Sequence, residues 1–331
     1  MNWKLLALVI GAVALLAAAI LATDVAPLEA LQTLLRGSLG SPRAIGGTLK
    51  ETTPLLIAGL AVFLALRAGL FNIGVEGQLL VGAMTCTVVV LRLPGVIGVI
   101  LGVAAGMVAG AAWAFPAGWI KAYRGGHEVI TTIMLNSVAA LLTTALVAGP
   151  LKAPGQESTT TASIPDALLL PAVASGEDWS LSLALVIGVV LTGAMAWWLR
   201  SSVGGYELQA VGANPTAAET AGVSSRRVTT LAMMASGALG GLAGALQVLA
   251  YEGRFYSGFS PGYGFDALGV ALLAGASAWG VLPAALLFGV LAKGGTAVQI
   301  LGVPKGITGV VLGLLILIFA AVRYRRVQCP A

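Results

Sequence analysis

AGLFNIGVEGQLLVGA, Ala68 to Ala83, decides how the chain must be read. It lies in one of the most apolar parts of the sequence and still carries Asn72, Glu76 and Gln78. Between Arg67 and Arg92 the only charge is Glu76, and Gly69, Gly74 and Gly77 interrupt the helical pattern around these polar groups. An acidic side chain in a bilayer costs about 2.5–3.5 kcal/mol on the insertion scale. Irregular backbone at that depth is tolerated only where it lines a cavity or is buried in protein. Asn72 to Gln78 therefore reads as part of a pathway wall. The alternative is that Glu76 sits at the membrane surface as an acid at a helix N-terminus.

The surroundings of the stretch decide the class. Of 331 residues, 58% are hydrophobic and only 9% charged, whereas soluble domains are about one-quarter charged. The chain is a polytopic membrane protein. Its 45 glycines are about double ordinary usage. Small residues let membrane helices approach closely where lipid supplies no hydrophobic drive between them. The net charge of +5 is spread as single basic residues between apolar runs and a C-terminal cluster. That is a topology signal and not a nucleic-acid footprint. Cys86 and Cys329 are far apart and His127 is the only histidine, so no disulfide or metal framework is expected. No Walker A motif occurs, so ATP hydrolysis is not expected of this chain.

Outward from the opening stretch the sequence divides into apolar runs. Leu5–Ala22 has the length of a membrane span and lacks a clear cleavage motif, so it is expected to be a first helix, not a signal peptide. A short surface helix is expected within 24–51. Spans follow at about 45–66, from the opening stretch to 91, and over 93–120, 128–148, 181–199 and 228–250. A partial crossing is expected over 265–275, with further spans over 276–291 and 304–322. The expected fold is an all-α polytopic membrane protein of about ten transmembrane helices, one permease domain over 1–331. The loop 149–180 holds Lys152 against Glu157, Asp166, Glu177 and Asp178, and this net acidity suits the outside face. Lys121 and Arg124, the 200–227 loop with Arg at both ends, and Arg323, Arg325 and Arg326 place those segments and both termini in the cytoplasm.

Two halves of the chain, 1–150 and 181–326, rhyme. GHEVITT at 126–132 is echoed by VPKGITG at 303–309, and the break at Phe71–Gln78 by Gly262–Asp266. An inverted repeat with broken helices points to a pathway near the midplane; shared Gly-rich apolar composition is the other explanation. Gly212 to Gly222 reads as a short exposed helix. Asn214 is a good N-cap, Pro215 suits the first helical position, Ala217, Ala218, Glu219 and Ala221 favour helix, and Gly222 can end it left-handed. Such a helix is either a knob for a partner's groove or a plain connector.

GLFNIGVEGQLLVGA, GGHEVITTIMLN, GANPTAAETAGV and GYGFDALGVALL occur in the order found in ABC importer permeases of the branched-chain amino acid, ribose and nucleoside group. The chain resembles the larger of the two paired permeases of purine-nucleoside importers, from about Ser41 to Val322. His127 is a departure, where asparagine is expected. The resemblance implies a second, related permease as partner in a heterodimer, a separate cytoplasmic ATPase that hydrolyses the ATP, and an extracytoplasmic substrate-binding lipoprotein. It also implies that Gly212, Asn214, Pro215, Ala218, Glu219 and Gly222 form the coupling helix that docks on the ATPase. Along the pathway it implies that Phe71 and Phe265 stack on a base, Asn72 and Gln78 bond its edge, and Glu76 and Asp266 accept from ribose hydroxyls. Asn136 either lines the pathway or bonds between helices, and Tyr263 is either pathway or interfacial anchor. No catalytic residue, metal or bound cofactor is expected. The rival classes are a permease for sugars or branched-chain amino acids, an ion-driven secondary transporter, a channel and a structural membrane subunit.

Overall fold

The computed structural model describes residues 25–93, 95–176 and 179–303, together with 310 and 313. The span expected at 5–22, that at 304–322 apart from residues 310 and 313, the tail arginines, and Glu177 and Asp178 lie outside the described residues. Among the described residues the chain is mostly helical, and seven helices are long and apolar enough to cross a membrane.

The expected surface helix is α1, Pro27–Leu39. The spanning helices begin with α2, Pro42–Arg67, α3, Val75–Arg92, α4, Gly95–Arg124, and α5, Glu128–Ala148. The 149–180 segment holds a hairpin of β1, Ala172–Ser175, and β2, Ser180–Ser182. Then come α6, Leu183–Ser201, and two short helices, α7, Val203–Ala213, and α8, Pro215–Thr220. The last described elements are α9, Ser225–Gln247, α10, Tyr263–Ala274, and α11, Val281–Gln299.

Two boundaries differ from expectation for physical reasons. The span read as ending at 250 runs on through a π turn, Val248–Glu252, and is stopped by Gly253 at φ +64. Its charged end is held by neighbours: Lys50 pairs with Glu252 at 3.3 Å and the Tyr256 hydroxyl donates to Glu252 at 3.2 Å. The span read as 276–291 begins and ends later, because Lys293 does not terminate it; the Lys293 stem lies against Gly47 of α2.

Helix α2 is the centre of the bundle. Leu55 to Ala65 are all buried, and α9, α10 and α11 pack around them. Beside it α4 lies on α9 and α3. The buried face of α4 is Gly98, Gly102, Gly106, Gly110, Ala114, Ala117 and Gly118, repeating every four residues. A Cβ on Gly241 would lie 2.2 Å from the Gly106 carbonyl oxygen, so the backbones themselves touch. Dispersion over that close contact substitutes for the hydrophobic drive that lipid does not supply.

Candidate functional site

The opening stretch is a break between α2 and α3, and its polar side chains repair it. α2 ends with Gly69 at φ +73 and the Leu70 N–H bonded back to Ala65 O at 2.9 Å, a Schellman-type stop. Asn72 Oδ1 accepts from Gly74 N at 3.0 Å and from Gln78 Nε2 at 3.1 Å. Asn72 Nδ2 donates to Gln78 Oε1 at 3.0 Å and to Ser236 Oγ of α9 at 2.8 Å. Ser236 Oγ donates in turn to Ala61 O of α2 at 2.6 Å. From α5, Asn136 Oδ1 accepts from Gly77 N at 2.9 Å and Nδ2 donates to Ile73 O at 2.8 Å. Backbone groups that would otherwise stand orphaned in an apolar interior thus find side-chain partners in Asn72 of the break and Asn136 of α5, and Ser236 of α9 holds Asn72 in place.

Glu76 is 7% exposed and reaches across to α10, where Oε2 accepts from Gly264 N at 2.7 Å. The two interrupted segments foreseen at 71–78 and 262–266 therefore meet. The carboxylate stands at the N-terminus of α10, where its charge is favoured by the helix dipole. One residue earlier, the Tyr263 hydroxyl donates to Glu51 Oε2 of α2 at 2.8 Å. The start of α10 is held by two carboxylates from two helices.

Above this junction opens a cleft of about 280 Å³, with Glu76 and Asn136 in its wall. Ser137, Thr143 and Thr144 of α5 and Ser260 of the preceding loop add hydroxyls; Phe255 and Phe265 add aromatic rings. Phe265 is 50% exposed. Phe255 is buried and stacked on Phe259 with ring centroids 4.9 Å apart. Next to the cleft, burial and the Glu252 carboxylate push the Tyr256 phenol up to about 12, so it stays a neutral donor. Among the described residues no group of three or more His, Cys, Asp or Glu is placed to hold a metal ion.

Of the residues singled out in the sequence, Glu76, Asn136 and Phe265 come together in the cleft. Asn72 and Gln78 are buried and bonded to each other beneath it. Tyr263 is buried on Glu51. Phe71 is exposed at the turn after α2, and Asp266 is half-buried in the first turn of α10; neither is in the cleft lining. Sequence reasoning missed Ser137, Thr143, Thr144, Phe255 and Ser260. The α5 residues were findable, since 136, 140, 143 and 144 repeat at helical spacing on one face.

The Gly212 to Gly222 segment has the local structure its residues dictate. Asn214 Oδ1 accepts from Ala217 N at 3.1 Å, Pro215 opens α8, and Gly222 has φ +86. Glu219 is exposed and Ala218 buried. Ser225 Oγ donates to Pro215 O at 2.9 Å and ties α8 to the start of α9.

Residues 44–320 match the permease component of the branched-chain amino acid transport system. The chain belongs to that permease family. It is a multi-pass membrane protein of the ABC importer class, as the four ordered motifs imply. It is 36% identical to the glucose ABC transporter permease TsgB13 of Haloferax volcanii, over 93% of this chain and 84% of that one. It is 37% identical to the guanosine ABC transporter permease NupP of Bacillus subtilis, over 87% and 84%. It is 36% identical to the nucleoside ABC transporter permease NupB of Lactococcus lactis, over 90% and 84%. No solved structure matches the chain.

One expected result follows from the repaired break. Asn136→Ala leaves the Gly77 N–H and the Ile73 carbonyl without partners. Each such buried group costs about 1–3 kcal/mol. The detergent-solubilised protein should therefore unfold several degrees earlier than wild type in a thermal-aggregation assay. An unchanged transition would mean that water reaches this segment.

Proposed function

We propose that the chain is the membrane-spanning permease subunit of an ATP-driven nucleoside importer. The observation that carries this reading is the lining of the cleft, which combines one carboxylate, one amide and four hydroxyls with the exposed Phe265 ring. A nucleoside offers a flat base for the ring and ribose hydroxyls for the polar wall. In this reading Glu76 accepts from ribose, Phe265 stacks, and Asn72 and Gln78 hold the wall in place. The NupP and NupB likenesses support the same cargo. The second reading is a simple sugar, supported by the TsgB13 likeness and by the hydroxyl-rich wall; it does not use Phe265 stacking.

The subunit works with a second, related permease, a cytoplasmic ATPase and an extracytoplasmic binding lipoprotein. ATP is bound and hydrolysed by the ATPase; this chain contributes no covalent chemistry. Helix α8, with Asn214, Pro215, Ala218 and Glu219 between Gly212 and Gly222, docks on the ATPase. The 200–227 loop and both termini are cytoplasmic and the 149–180 loop extracytoplasmic. The full domain carries about ten spans in two inverted halves, with the α2–α3 break and the start of α10 as corresponding interruptions. Closure of the ATPase displaces α8, and the cleft alternates between outward and inward access.

The test is uptake of radiolabelled guanosine into vesicles that contain the permease pair and the ATPase, with and without ATP. Uptake should require ATP and be abolished by Glu219→Arg, which reverses an exposed charge without touching the bundle. Uptake that ignores ATP and follows a proton or sodium gradient would overturn the importer reading. Uptake of glucose but not guanosine would keep the machine and change the cargo.

A further inference from the structure

The contact that joins the α7–α8 segment to the α2–α3 break is backbone on backbone. A Cβ on Gly212 would lie 2.1 Å from the Arg67 carbonyl oxygen and 3.0 Å from the Ala68 carbonyl carbon. From the other side, a Cβ on Gly69 would lie 3.1 Å from the Gly212 carbonyl oxygen. Beside this contact the Arg67 guanidinium donates to Gln209 Oε1. Gln209 Nε2 donates to Leu199 O at 2.7 Å and to Gly205 O at 3.1 Å. One amide thus ties the end of α2 to the end of α6 and the start of α7. Arg67 Nε is buried with no hydrogen bond of its own, so Gln209 is the guanidinium's one hydrogen-bonding side chain among the described residues.

The chain on either side of this contact has little slack. Towards α8, Asn214 alone separates α7 from Pro215. Towards the cleft, Leu70 is bonded back into α2, Asn72 is fixed by Gln78 and Ser236, and Glu76 is bonded to Gly264. A shift of α7 therefore cannot be absorbed at the contact. It must be passed to the break and, through Glu76, to the start of α10 and the cleft.

We propose that Gln209, Arg67 and the Gly212–Gly69 contact form a strut that transmits movement of α8 to the substrate cleft, with Gln209 as its positioning residue. The proposal rests on the reading of the chain as an importer permease with α8 as the docking helix, and it adds the route by which docking reaches the cargo. A merely structural role predicts loss of the assembled complex. A strut predicts a complex that assembles and hydrolyses ATP but moves less cargo for each ATP spent.

The experiment measures guanosine uptake and ATP hydrolysis together in liposomes holding the complete importer, for wild type, Gln209→Ala, Arg67→Ala and the double variant. The amount of co-purifying ATPase and the thermal transition serve as controls. Each single variant should bind the ATPase normally and lower uptake per ATP by about tenfold, the size of an ordinary coupling energy. The double variant should be no worse than either single one, because both remove the same link. Gln209→Asn, which keeps the amide one methylene further away, is the milder form and should lower the ratio less. An unchanged ratio in Gln209→Ala and Gln209→Asn, or additive losses in the double variant, would overturn the strut alone. So would uptake and hydrolysis that fall together with lost ATPase. Wild-type uptake that does not depend on ATP would overturn the importer reading on which it stands.

Discussion

Gly264→Ala is expected to collapse the cleft and deplete the folded permease. The added Cβ would stand 2.2 Å from the Glu76 backbone nitrogen and 2.4 Å from its Cα. These are backbone atoms at the start of α3, so no side chain can rotate away. Helix α10 must move off, and in moving it gives up the bond from Gly264 N to Glu76. Overpacking of this kind costs about 1–3 kcal/mol. The unmade bond leaves a buried donor and a buried carboxylate at about 1–3 kcal/mol each. Together these approach the whole stability of an ordinary domain, about 5–15 kcal/mol. The measurement is the yield of monodisperse protein and its thermal transition, against Gly193→Ala as control. Gly193 lies on α6 with only the Trp279 ring near it, at 3.4 Å, and alanine there gains helix propensity. Equal yields for the two variants would show that α10 and α3 do not meet as described.

What the sequence disclosed was local. The Asn-Pro opening and Gly222 ending of α8 act through their own backbone, so the helix could be drawn from those residues alone. The break at Asn72–Gln78 was visible because three polar side chains and three glycines stood in an apolar run. Comparing the two halves of the sequence marked Gly262–Asp266 as a counterpart of the break; that the two segments touch is seen only in the Gly264–Glu76 bond.

What stayed hidden was held by distant partners or backbone contact. Ser236 closes the bond network from 164 positions away from Asn72, and one serine in a Gly/Ala-rich helix announces nothing. Glu51 was given no role in the sequence reading, yet its carboxylate accepts from the Tyr263 hydroxyl 212 positions away. α7 lies inside the segment read as the 200–227 loop, and its Gly204 and Gly205 argue against helix by propensity. Packing overrides that: a Cβ on Gly205 would lie 2.4 Å from the Trp198 carbonyl oxygen, so the glycine is required by the close approach of α6. The hydroxyls of Thr143 and Thr144 were read as part of an apolar span, although their helical spacing from Asn136 marked one face.

Glu76→Gln should separate the two duties that the structure gives this residue. As a cap, Glu76 needs only an oxygen to accept from Gly264 N, and the glutamine amide supplies one. A charged residue at membrane depth costs about 2.5–3.5 kcal/mol, so the neutral substitute should fold at least as well as wild type. As a cleft residue, Glu76 faces the proposed ribose site. There a charge-assisted bond, about twice as strong as a neutral one, becomes a neutral one. The difference of about 1.4 kcal/mol corresponds to about tenfold weaker binding. KM for guanosine uptake should rise by that factor with the thermal transition unchanged. Glu76→Ala should lose both functions, unfolding earlier because Gly264 N is left without its acceptor, at about 1–3 kcal/mol, and transporting still less. If instead Glu76→Gln carries guanosine with wild-type KM, the carboxylate serves as the cap of α10 alone. The polar contacts to cargo would then fall to Asn136 and the hydroxyls of α5.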